Sequence, residues 1–306
     1  MMDRRDFLKK GLALGAGTAL SLNSMMKLFE SRHAVNLTIL YTNDTHARLD
    51  PFPVNATEHA GLGGIARRAT LVEQIRREKE NVLLLDAGDI FQGTPWFNVY
   101  GGKVDLELMS KMGYDATTIG NHEFDNGLQG FADVAPAADF PFLCANYEVK
   151  DTPMNPFVQR FMVKEVGGLR IGIFGLGIQL DGNVRKELYD GVLYRDPVIW
   201  ANGIARSLKE FQKCDMVICL SHLGYHYNDN RIDDRKLASR VDGVDLIIGG
   251  HTHTFLNEPE LIYTPGGGKT LVTQAGHSGI VLGRLDLFFD DSGRISESIS
   301  APVTVE

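Results

Sequence analysis

Five apolar runs of strand length in this chain each stop on residues able to bind a metal ion, and that repetition constrains the fold more than any other feature. Residues 36–42 run into Asn43-Asp44-Thr45-His46. Residues 81–85 run into Asp86-Ala87-Gly88-Asp89, and 116–119 into Gly120-Asn121-His122-Glu123-Phe124-Asp125. Residues 215–220 end on Ser221-His222, and 245–248 on Gly249-Gly250-His251-Thr252-His253. A continuous run such as Val82-Leu83-Leu84-Leu85 reads as a strand covered on both faces, the habit of strands in α/β sheets. In open α/β sheets ligands bind beyond the carboxyl ends of the strands. Polar residues confined to those ends therefore converge in space although they lie far apart in the chain.

The intervening sequence fits this frame. Helical periodicity covers 65–80, 104–112, 197–213 and a short stretch at 237–241. Residues 140–149 read as a further strand. The runs 160–166 and 169–175, joined by Gly167-Gly168, read as a hairpin with a two-residue turn. A turn at 265–269 joins two more strands, and 279–289 and 295–305 are β-rich. No repeat, low-complexity segment or linker interrupts 34–306, which is expected to form one domain.

Composition adds bounds. The 306 residues are 43% hydrophobic and 23% charged, ordinary for a globular protein with a large core. The formal charge of −8 provides no basic face for nucleic acid, so no nucleic-acid partner is expected. Cys144, Cys214 and Cys219 lack the spacing of a disulfide framework or a zinc finger, and are expected to be free thiols. At the N-terminus, Asp3-Arg4-Arg5-Asp6-Phe7-Leu8-Lys9-Lys10 precedes an apolar run over 11–22 that is short for a bilayer span. Residues 1–33 thus resemble a twin-arginine export signal, which places the protein in the periplasm or at the membrane. Removing them, with six basic and three acidic residues, takes the formal charge to −11. No remaining stretch is apolar enough to span a membrane.

The chemistry follows from the ligand types. Asp44 and His46 are two apart, so an extended backbone points both to one side. Histidines mixed with carboxylates suit borderline divalent ions such as Mn, Fe, Zn or Co. The candidates Asp44, His46, Asp89, Asn121, His122, His222, His251 and His253 exceed what one tetrahedral ion needs. Two ions bridged by one carboxylate use them naturally. Two metals roughly 3.5–4 Å apart are a common device for phosphoester hydrolysis, polarising phosphoryl oxygens and generating hydroxide near neutral pH.

Taken in order, Asn43-Asp44-Thr45-His46, Gly88-Asp89, Gly120-Asn121-His122-Glu123, His222 and Gly250-His251-Thr252-His253 resemble the motif set of the calcineurin-like metallophosphoesterases. Thr42-Asn43-Asp44-Thr45-His46 and Asn121-His122-Glu123-Phe124-Asp125 are similar to the bacterial 5′-nucleotidase and UDP-sugar hydrolase branch. The resemblance implies a four-layer α/β/β/α sandwich with two mixed sheets. It implies one metal on Asp44, His46, Asp89 and His253, and a second on Asp89, Asn121, His222 and His251, with Asp89 bridging. His122 is then not a ligand. It stabilises the phosphoryl transition state or protonates the leaving oxygen, and Asp125 orients it.

Two departures from that branch stand out. It often has a non-histidine ligand where His253 stands. Its members also carry a C-terminal domain that sandwiches the base and binds phosphate, whereas this sequence ends at Glu306, just after the metal domain. The expected function is therefore an exported di-metal phosphohydrolase of 5′-nucleotidase type, acting on a small phosphoester such as a nucleotide. The alternatives are a phosphodiesterase or a thiosulfohydrolase with the same core. A third is a metal subunit that works with a separate nucleotide-binding domain protein.

Overall fold

The computed structural model describes residues 35–306, and the export-signal reading of 1–33 lies outside the described residues. The five strand-end runs fall on two sheets. In the first, β1 (Val35–Thr42), β2 (Val82–Asp86), β3 (Ala116–Thr118), β4 (Phe142–Leu143) and β6 (Val158–Gln159) lie side by side and parallel. Its other edge is closed by antiparallel β14 (Val281–Phe289), β15 (Ile295–Ser300) and β16 (Val303–Thr304). In the second, β8 (Leu169–Leu176), β10 (Met216–Ser221), β11 (Leu246–Gly249) and β13 (Lys269–Thr273) are parallel. There β7 (Phe161–Val166) and β12 (Glu260–Tyr263) form antiparallel edges. A two-stranded ribbon pairs β5 (Tyr147–Glu148) with β9 (Leu193–Tyr194).

Side-chain alternation explains why the sheets stack. Leu37 and Ile39 of β1 and Leu83 and Leu85 of β2 point inward, where they meet Ile218 and Leu220 of β10 and Leu246 and Ile248 of β11. Their strand neighbours point the other way. Leu40 and Leu84 join a core under α1 (Ile65–Glu78), α3 (Lys103–Met112) and α4 (Gly127–Val134). Val217, Cys219 and Ile247 join a core under α5 (Pro197–Arg206) and α6 (Asp234–Ala238). Each central strand is thus buried on both faces, and the molecule is a four-layer α/β/β/α sandwich with two mixed sheets, as expected. All three cysteines are buried and free. No helix among the described residues is long and apolar enough to cross a membrane.

Several expected elements are redrawn. The strand anticipated over 140–149 breaks into β4 and β5, because Asn146 turns its amide onto Gly177, donating from Nδ2 to its carbonyl and accepting from its N–H. The helix over 197–213 stays α-helical only to Arg206, then widens into a π turn over Ser207–Phe211. The helix expected at 237–241 starts earlier, capped where Asp233 accepts from Lys236 N at 2.7 Å. The β-rich stretch 295–305 divides at Ala301-Pro302, since proline has no N–H for the ladder. An unexpected helix, α2 (Pro95–Tyr100), follows the β2 loop, with proline at its first position.

The sheets approach closely at Gly175, whose carbonyl accepts from Ala145 N at 2.8 Å. A Cβ there would fall on Leu143 O and Thr118 Oγ1. Gly175→Ala should therefore cost about 2–3 kcal/mol, the upper range for overpacking. Gly203→Ala, in α5 with open space around it, should be neutral or stabilising by up to about 1 kcal/mol. Urea denaturation of both variants checks this, and equal stabilities would refute the close-contact account.

Candidate active site and metal centre

The parallel strands of both sheets point their C-terminal ends to one edge, and the loops leaving β1, β2, β3, β10 and β11 meet there. Asn43 pins the first loop. Its Oδ1 accepts from Ala275 N at 2.8 Å, and its Nδ2 donates to Asp44 Oδ2 at 2.6 Å. Asp44 also accepts from His251 N at 2.9 Å, so the β1 and β11 loops are tied through one carboxylate. Gly120 is required by proximity, since a Cβ there would fall on Asp89 Oδ1. Asp44, His46, Asp89, His251 and His253 all hold φ between 50° and 69°, a left-handed conformation uncommon outside glycine. Strain of this kind clusters where function demands a geometry.

Three groups of possible ligands gather in this crevice: Asp44 with His46 and His253, His46 with Asp89 and His122, and Asp89 with His222 and His251. Within each, one atom per residue lies within 4.8 Å of the others. Asn121, the remaining candidate ligand, joins the third group through its Oδ1, 2.8 Å from His251 Nδ1. All seven ligand candidates, together with His122 and Asp125, therefore occupy one site.

The donor set fits divalent cations. His222 is wholly buried, with Nδ1 2.7 Å from Ala87 O. A carbonyl only accepts, so Nδ1 carries the proton and Nε2 presents its lone pair. That Nε2 makes no well-formed hydrogen bond, yet lies 3.0 Å from Asp89 Oδ2. A lone pair facing a carboxylate calls for a positive charge between them, either a proton or a metal. Without a metal a proton takes that place. Burial alone would lower the His222 pKa, but the Asp89 charge overrides it and raises it to about 10. The same arrangement repeats at His46, where Nδ1 lies 3.2 Å from Phe91 O and Nε2 lies 3.0 Å from His253 Nε2.

Apart from His222, raised by the Asp89 charge at its ligating atom, the imidazoles divide into two kinds. Burial pushes His251 down to about 4 and lowers His46, which keeps both neutral and suited to ligation. His122 is raised: burial opposes the charge, but its hydrogen bond to Asp125 and the charge of Asp89 outweigh burial. Its Nδ1 lies 2.9 Å from Asp125 Oδ2, leaving Nε2 free for a ligand. Its ring is 5.3 Å from that of His46, among the ligand candidates.

Glu123 received no role from the sequence, yet its buried carboxylate accepts four backbone N–H groups. Oε2 accepts from Asp89 N at 3.0 Å and Gly120 N at 2.6 Å. Oε1 accepts from Ile90 N at 2.8 Å and Phe91 N at 3.4 Å. Burial and the charge of Asp89 push this carboxyl up to about 7, and the four donors favour its ionised form. Asp86 acts similarly one strand away, accepting from Thr42 Oγ1 at 2.6 Å, Thr117 Oγ1 at 2.9 Å and Gly88 N at 2.9 Å. A carboxylate directly after Asn121-His122, and another opening the β2 loop, were the available signals. Arg48 and His277 also line the crevice, a cavity of about 430 Å³, and nothing in their local sequence marks them.

Comparison with known proteins agrees with this geometry. Residues 37–255 match the family model for the calcineurin-like phosphoesterase. The chain is 35% identical to a 5′-nucleotidase of Rattus norvegicus, an alignment covering 93% of this chain and 52% of that one. It is 34% identical to the trifunctional nucleotide phosphoesterase YfkN of Bacillus subtilis, covering 84% of this chain and 18% of that one. A 5′-nucleotidase precursor from Thermus thermophilus superposes with a TM-score of 0.80 at 33% identity, over 89% of this chain and 55% of that one. This chain thus spans about half the length of the two 5′-nucleotidases named, and less in the case of YfkN. Its sequence match, its fold and its crevice of aspartates and histidines place it in the calcineurin-like phosphoesterase family, the metal-dependent phosphoester hydrolases.

Proposed function

We propose that this chain is an exported phosphomonoesterase of 5′-nucleotidase type that works with two divalent ions. The observation that carries the reading is the oriented His122–Asp125 pair beside one group of possible ligands on Asp44, His46 and His253 and another on Asp89, His222 and His251. In this reading Asp44, His46, Asp89 and His253 hold one ion, and Asp89, Asn121, His222 and His251 hold the other. When bound, such ions supply Lewis acidity to the phosphoryl oxygens and to water. The remaining steps belong to the protein. His122, charged through Asp125 and Asp89, presents Nε2 to the phosphoryl group and gives a proton to the departing ester oxygen. Asp125 holds the Nδ1 proton and so fixes the tautomer, while Glu123 fixes the loops that carry Asp89 and His122. Nucleotides are proposed as substrates because the relatives named above are nucleotidases and nucleotide phosphoesterases. Export rests on the Arg4-Arg5 motif and the apolar run over 11–22. Lysine substitution of both arginines, followed by cell fractionation, tests it: continued export would sink that part.

The decisive assay is phosphate release from AMP by Mn²⁺-loaded protein, and its absence would overturn the reading. His122→Ala should lower kcat by roughly 10²–10⁴ with bound metal unchanged by elemental analysis, the range for a positioned acid–base group. Asp89→Asn should instead reduce the metal content itself, and retention of two ions would contradict the bridging role.

The pH profile gives a third test. Asp125 raises the His122 pKa, so the protonated form persists above its ordinary value and disappears as pH climbs through the raised one. Asp125→Asn removes that support, so the alkaline limb of kcat/KM should move to lower pH. An unmoved limb would mean that the limb reports another group.

A further inference from the structure

Next to the crevice lies a second concavity, of about 570 Å³, lined by Gln92, Thr94, Phe97, Asn98, Asp125 and Arg185 among others. Its lining includes no residue of the three ligand groups. Its volume is within the range of small-molecule pockets, ~300–1,000 Å³. Gln92 and Gly93 line both cavities, so the two are adjacent. Gly93 packs closely against the first loop there, since a Cβ would stand 2.9 Å from His46 O. Asp125 lines the groove and binds His122, which lines the crevice. The groove therefore opens on the His122 side of the crevice, where the proposed leaving oxygen receives its proton.

Thr94 Oγ1 donates to Ala47 O at 2.7 Å and Asp125 binds His122, but the other polar side chains of the groove are unengaged among the described residues. Among the described residues, Arg185 makes no side-chain hydrogen bond or ion pair, in contrast to Arg195, which binds Glu148 at 2.5 Å, and Arg170, which binds Glu165 at 2.7 Å. The Gln92 and Asn98 side-chain amides likewise have no hydrogen-bond partner among the described residues. Gln92 also holds φ at 71°, a conformation that asparagine and glycine adopt more readily. The only carboxylate among the described lining residues is Asp125, already committed to His122. A guanidinium and two amides around a polar groove form a site for an anion, and a guanidinium matches phosphate by paired N–H donors.

We infer that this groove receives the leaving group of the substrate, and that Arg185 selects phosphomonoesters whose leaving group bears a second phosphate. The inference rests on the phosphomonoesterase reading above. For adenosine 3′,5′-bisphosphate, water oxygen bonds to the 5′ phosphorus and the bond from phosphorus to ribose O5′ breaks. The electron pair stays on O5′, which takes a proton from His122, and water returns a proton to the site. Orthophosphate and adenosine 3′-phosphate are released, the 3′-phosphate having been held at Arg185.

The test compares adenosine 3′,5′-bisphosphate with AMP on Mn²⁺-loaded protein. In Arg185→Ala the ratio of their kcat/KM values should fall about tenfold, through KM, the size of one lost charge-assisted hydrogen-bond pair. Arg185→Lys should keep part of the preference. A readout without turnover uses calorimetric titration of the bisphosphate into His122→Ala, where adding Arg185→Ala should weaken binding about tenfold. An unchanged ratio together with unchanged binding would overturn the inference while leaving the nucleotidase reading intact. Wild-type protein that binds the bisphosphate through Arg185 but hydrolyses neither compound would overturn the nucleotidase reading instead.

Discussion

The Glu123 carboxylate, buried and accepting four backbone N–H groups, is the interaction on which the site depends. Two of its donors, Asp89 N and Gly120 N, belong to loops leaving different strands of the first sheet. Neither loop has a helix or ladder to satisfy those amides. Unpaired, they would each carry a desolvation penalty of about 1–3 kcal/mol. One carboxylate satisfies them all, and in doing so fixes Asp89 against Asn121 and His122. The proximity is such that Gly120 tolerates no side chain facing Asp89. A charge placed here also sets the electrostatics, since a second buried anion beside Asp89 increases the demand for cations at the crevice.

That demand is visible elsewhere. Asp44 and Asp89 are almost wholly buried, and the groups facing them are imidazoles rather than arginines or lysines. Buried carboxylates without fixed cationic partners are unfavourable for a protein on its own. Protonating His222 relieves one of them, and the burial of His251 works against doing the same again. The backbone strain at five of the ligand positions points the same way. Ordinary loops would relax it, and here the hydrogen bonds of Asn43, Asp44 and Glu123 prevent relaxation.

The crevice was legible in the sequence because strand ends are marked twice, once by the stop of an apolar run and once by the residue that follows, whereas the four-layer sandwich came from the family resemblance. Asp44, Asp89, Asn121, His222 and His251 each come just after such a stop, and parallel strands bring those ends together without further information. What was not legible depends on contacts made across the chain. Glu123 serves backbone groups more than thirty positions away, and no local pattern announces a carboxylate that binds amides. The break in 140–149 comes from Asn146 pairing with Gly177, which propensity does not register. Arg48 and His277 reach the crevice only because the β1 loop and the residues before β14 lie side by side, with Ser278 N donating to Asp44 O at 2.7 Å.

The contrast between the two histidine kinds ties these strands of argument together. His46, His222 and His251 lie in the same crevice as His122, and residue type alone cannot say which one handles a proton. Partner chemistry does. His46 and His222 meet carbonyl oxygens at Nδ1, which orient an imidazole without adding charge, and the carboxylate beside His222 lies at its Nε2, the atom a metal would take. His122 meets a carboxylate, which both orients it and favours its charged form. The spacing from His122 to Asp125 is what permits this, because the one-turn 3₁₀ helix over His122–Phe124 brings residues three apart onto one side. A carboxylate one position earlier or later would face away. The acid is thus distinguished from the ligands by a single turn of backbone, itself held in place by Glu123 within the same turn.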